Sequence, residues 1–155
     1  MANTITGKMS ARESGQDTFL PAGPPHTYLG VAKSILPSII LLSENPQACG
    51  LGLPMLCAHA LECLLKAFLS RAGDDRAVRK SDIRHNLTKL WSKAFDEGLA
   101  IPEQPPTWIT RLSEVHEPPY FLRYSTKVHG IVTPGREPMV SEIKELCAVV
   151  ERQLL

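Results

Sequence analysis

The run LGLPMLCAHALECLLKAFL, residues 51–69, limits what this chain can fold into more than any other segment. Leu61, Leu64, Leu65, Phe68 and Leu69 recur at three- and four-residue spacing, the signature of one buried helical face. Glu62 and Lys66 stand four apart in the order that favours an intrahelical ion pair. Pro, His, Glu and Lys interrupt this run and the earlier ILPSIILL, so neither reads as a membrane span. The expectation is a helix that buries one face against other helices in a soluble protein. Its start is open: either it begins near Pro46 and kinks at Pro54, or Pro54 lies in its first turn, and Gly73 closes it.

The remaining periodic segments supply the neighbours. Tyr28, Val31, Ala32, Ile35, Leu36 and Ile39 mark a first helix that ends before Asn45-Pro46 and kinks at Pro37. Ser81 or Asp82 is the expected cap of a third helix burying Leu87, Leu90, Trp91, Ala94 and Phe95. A shorter fourth uses Trp108, Ile109, Leu112 and Val115 and stops before Pro118-Pro119. The last starts around Pro138 and buries Val140, Ile143, Cys147, Val150 and Leu154. The fold class is all-α, an up-and-down bundle of four to five helices with antiparallel neighbours. Residues 120–133 hold β-branched and aromatic side chains and could form a short helix, a loop or a small hairpin.

The 155 residues suit one domain, with residues 1–24 a flexible arm, polar and punctuated by Gly and Pro, and residues 25–155 the helical domain. With 17 Lys and Arg against 16 Asp and Glu, no overall field recruits nucleic acid or a membrane, so any anion site must be local. Cys49, Cys57, Cys63 and Cys147 form no CxxC pair, and the N-terminus lacks a basic segment followed by an apolar run. Both point to a cytoplasmic protein with reduced thiols. Cys57 and His59 are two apart, on different helical faces, so with Cys63 they do not make a zinc set. No metal or cofactor is expected, and no GxxxxGK[ST], GxGxxG or GxSxG motif supports an ATPase, a dinucleotide enzyme or a serine hydrolase.

Three islands, AHALECLLKAFLSRAG at 58–73, RHNLTKLWSKAFDEGL at 84–99 and FLRYS at 121–125, resemble in order and spacing the HEPN superfamily of small helical domains. The resemblance covers the span from Tyr28 to Leu155. It implies a bundle of four or five helices, a homodimer, and a place among toxin–antitoxin or phage-defence proteins, many of which are ribonucleases held in check by an antitoxin partner. In those ribonucleases an arginine and a histidine four to six residues apart act at the dimer interface, and here five residues separate Arg123 from His129. Catalytic members usually carry a small polar residue after the arginine. This chain has Tyr124 there, closer to the arginine-tyrosine branch.

Chemistry orders the candidates. The Arg123 guanidinium can hold a phosphate with two parallel hydrogen bonds, or anchor a buried acid such as Glu62. His129 can move a proton during attack by a ribose hydroxyl, or be an ordinary loop histidine. On an ideal helix their side chains point about 120° apart; on a strand they lie about 20 Å apart. A shared site therefore needs a turn or a second subunit. His85 and Asn86, expected in the first turn of the third helix, can support a phosphate or cap that helix. Glu62, if buried, must find Arg123 or His85 besides Lys66. Three functions follow: binding of a nucleotide or RNA phosphate around Arg123, metal-independent endoribonuclease activity using Arg123 and His129, or a protein-interaction bundle.

Overall fold

A computed structural model describes residues 23–124 and 128–155. Six helices appear in it: α1 (His26–Glu44), α2 (Pro46–Cys49), α3 (Gly52–Leu69), α4 (Leu87–Asp96), α5 (Thr107–His116) and α6 (Arg136–Leu154). Five are long enough to build a bundle, and α2 is a single turn. The described residues contain no strand, so the all-α expectation holds. Of the helix, loop and hairpin open to residues 120–133, the described part takes the loop, as turns and irregular chain. Residues 125–127, like 1–22, lie outside the described part.

α3 is the axis of the bundle. It packs against α1, α4, α5 and α6, and thirteen of its residues are buried. By length and composition α3 could cross a bilayer, yet 72% of it is buried among the other helices, as in a core helix. Of the two readings of this segment, Pro54 in the first turn holds, and a single helix from Pro46 kinked at Pro54 does not form. Pro46 opens α2, Gly50 turns the chain with a φ of 41°, and Pro54 sits in the first turn of α3, where no intrahelical donor is missed. α1 and α6 lie antiparallel, since Lys33 meets Glu151 at one end and Arg136 donates to the Ser43 carbonyl at the other. Pro37 lies inside α1, whose inner face carries Ala32 and Ile39. α6 includes a non-helical Glu137, so its regular part begins at Pro138 as read from the sequence.

The start of α4 differs from expectation. Residues 80–86 make a separate turn held by Ile83 N–H to Lys80 O and Asn86 N–H to Ile83 O. Asn86 then adopts an extended conformation and caps α4, its Oδ1 accepting from Lys89 N–H at 2.9 Å. Asn86, not Ser81 or Asp82, is the cap, and His85 precedes the helix. Leu87, Leu90, Trp91 and Ala94 are buried while Phe95 is only partly so. In α5, Val115 is partly buried and His116 takes the inner position.

The core converges on α3 and α4, with Phe68 at 2% and Trp91 at 5% exposure. Phe68→Ala should therefore cost about 3–5 kcal/mol in urea unfolding, from lost burial plus the cavity left behind. Trp91→Ala should cost as much, because its indole N–H bond to the Pro102 carbonyl is lost with the ring. A midpoint unchanged by either would show that the face is misassigned.

Candidate functional site

His59, Glu62 and Lys66 are spaced three and four residues apart on α3, which places them on one side of the helix. On a helix this deep, charged groups must be satisfied by protein. Glu62 and Lys66 are 6% and 4% exposed, and Lys66 Nζ donates to Glu62 Oε1 at 2.7 Å. The other carboxylate oxygen, Oε2, lies 3.1 Å from His85 Nδ1 and 2.6 Å from His116 Nε2. A carboxylate only accepts, so both of those ring nitrogens carry the proton. Burial alone would push the Glu62 carboxyl up, but the bonds from His116, Lys66 and His85 more than reverse it and hold it at about 2.

The two histidines arrive from adjoining helix ends. Leu87 N–H donates to Ser113 Oγ at 3.0 Å, and the Asn86 side-chain amide donates to Glu117 Oε2 at 2.6 Å. These bonds tie the start of α4 to the end of α5. The His85 ring consequently meets His116 edge-on at 5.9 Å and Tyr120 edge-on at 5.6 Å. Tyr120 has a φ of 65°, unusual for an aromatic residue, and its carbonyl accepts from both Arg123 N–H and Tyr124 N–H. This tight turn buries Leu122 and brings the Arg123 guanidinium to 5.7 Å from the Tyr120 ring centroid.

Arg123 lines a pocket of about 210 Å³ with Met55, Leu56, His59, His116 and Leu122. It is exposed and has no carboxylate partner among the described residues. Partial burial holds the His59 imidazole below its ordinary value; Glu62 pulls it up, while His116, Arg123 and Lys66 push it down. The pocket wall thus combines apolar side chains with one guanidinium and two imidazoles, in a chain that is near neutral as a whole.

Of the residues expected from sequence, Glu62, Lys66 and His85 form one buried cluster. Asn86 braces it through Glu117. Arg123 lies next to the cluster and shares the pocket wall with His116. Tyr124 is 64% exposed, and His129 is exposed and does not line that pocket. Glu62 finds His85 rather than Arg123. Sequence reasoning missed His116 as a partner, although it extends the buried stripe Ile109, Leu112 of α5. His59 was weighed only as a metal ligand, while its shared face with Glu62 was readable. Cys57 and Cys63 are buried thiols pushed up to about 12 by burial, which leaves them unreactive. Compared with protein-family models, curated proteins and solved structures, the chain matches none.

Glu62→Leu should destabilise the fold by about 3–5 kcal/mol, because it strands a buried ammonium. Acid should act on the same bonds. Since the folded-state carboxyl lies at about 2, below its ordinary 4.5, the stability it contributes is complete above pH 4.5 and lost as pH falls towards 2. Unfolding midpoints measured from pH 6 to pH 2, about the range that spans both values, should fall in the parent and fall less in Glu62→Leu.

Proposed function

We propose that this chain binds the phosphate of a nucleotide or an RNA strand at the Arg123 pocket. One observation carries the reading: an exposed guanidinium without a carboxylate partner among the described residues lines a pocket beside two imidazoles. Had Arg123 been a structural anchor for Glu62, it would occupy a carboxylate oxygen. Those oxygens instead hold Lys66, His85 and His116. A guanidinium has two parallel N–H groups for phosphate oxygens, and His59 adds a donor. Met55, Leu56 and Leu122 offer an apolar wall suited to a sugar or base.

The HEPN-like order of islands agrees with an RNA ligand and with a role in toxin–antitoxin or phage-defence systems. It also suggests a homodimer, for which α1 and α6 present a groove of about 620 Å³ beside Leu41, itself 62% exposed. Ribonuclease activity through Arg123 and His129 needs their convergence, and a pure interaction bundle needs no open basic pocket.

Fluorescence anisotropy with a short labelled single-stranded RNA tests the proposal. Arg123→Ala should weaken binding at least tenfold, about 1.4 kcal/mol, while melting with the parent because its charge supports no ion pair among the described residues. His129→Ala should leave binding unchanged. Equal RNA affinity in Arg123→Ala and the parent would overturn the reading.

A further inference from the structure

Glu62, His85 and His116 come from α3, the turn before α4 and the end of α5, and both imidazoles bring a ring nitrogen to Glu62 Oε2. Oε2, Nδ1 and Nε2 all lie within 4.8 Å of one another. We infer that these three side chains form a divalent-cation site with zinc as its natural ion. The inference does not rest on phosphate binding, although His116 also lines the Arg123 pocket.

The donor chemistry fits. Two imidazoles and one carboxylate are a ligand set for zinc that leaves a further position for water. Tetrahedral bonds of about 2.0–2.1 Å separate donors by roughly 3.4 Å. The observed 2.6 and 3.1 Å from Oε2 to the two nitrogens require an opening of less than about 1 Å, and the two nitrogens, within 4.8 Å of each other, need close by no more than about 1.4 Å. His116 and Glu62 are buried, and His85 keeps 22% of its side chain exposed, so the site has a protein floor and a solvent-facing edge. Lys66 engages Oε1 alone, which leaves Oε2 as the single coordinating oxygen and orients the carboxylate from outside the metal's own ligands. Its ammonium lowers the affinity relative to a site without a cation beside it, which makes an exchangeable ion the expected state.

Binding changes where the ring protons reside. Without metal, His85 Nδ1 and His116 Nε2 carry them toward Glu62. A bound cation takes both nitrogens, and each proton moves to the opposite ring nitrogen, His85 Nε2 and His116 Nδ1. For a ring that is neutral before binding, this is an exchange of tautomer with no net proton gained or lost. His116 lines the pocket beside Arg123, where water can accept the proton that its Nδ1 gains.

Cobalt(II) titration of the full chain, stripped with chelator, provides the first test. One equivalent should bind with visible d–d absorption, and zinc should displace it. His85→Gln and His116→Gln should each weaken cobalt binding at least tenfold. Because either variant can lose its fold, imidazole ¹⁵N spectra of the parent with and without zinc provide a second test. They should show both tautomers exchanging on binding. No saturable cobalt absorption below millimolar concentration, unchanged cobalt affinity in both folded variants, or zinc binding that leaves the His85 and His116 tautomers untouched would each overturn the site.

Discussion

A carboxylate buried in the central helix is the constraint around which this protein is arranged. Glu62 cannot remain ionised at 6% exposure unless its lone pairs are filled, and one helix cannot fill them. Lys66 serves Oε1 from the next turn of α3, but Oε2 needs partners from elsewhere in the chain. His85 and His116 provide them, so the connection after α3 must return to its middle and α5 must end beside it. Few groups in the described fold demand so much of distant sequence.

The same demand shapes the surface. Once α5 ends at His116, the chain turns tightly through Tyr120, places its ring against His85, and anchors Leu122 in the core. Arg123 follows directly, and its exposure beside His59 and His116 is a consequence of that turn. A pocket with local positive charge thus grows out of a buried polar hub in a chain whose net charge is only +1. Its electrostatics come from placement and not from composition.

Periodicity made most of the fold legible. The inner positions Leu61, Leu64, Leu65 and Phe68 of α3 and Leu87, Leu90, Trp91 and Ala94 of α4 could be read from their spacing, because apolar side chains at helical spacing have few other uses, while Leu69 and Phe95 are only partly buried. The cap of α4 was harder. Ser81, Asp82 and Asn86 are all competent caps, and the choice depends on the turn at 80–86 and on the Asn86 bond to Glu117, neither of which is local to a helix pattern. The site was legible in part. Glu62 and Lys66 announce a polar position on an apolar helix, and a partner such as His85 follows from the cost of burial. His116 is 54 residues from Glu62, and nothing in local spacing links them. The expected absence of a metal rested on Cys57, His59 and Cys63, which share one segment. A donor set drawn from three separated segments has no comparable signature.

The polar hub requires Glu62 to be ionised inside the bundle. The ¹³C resonance of its side-chain carboxyl, followed through an acid titration, measures this at the atom concerned. The hub described here predicts a midpoint well below the ordinary 4.5, near 2, reported by the same residue until the fold is lost. A midpoint at or above 4.5 in the folded protein would contradict it, because His85, His116 and Lys66 would then not be holding a carboxylate.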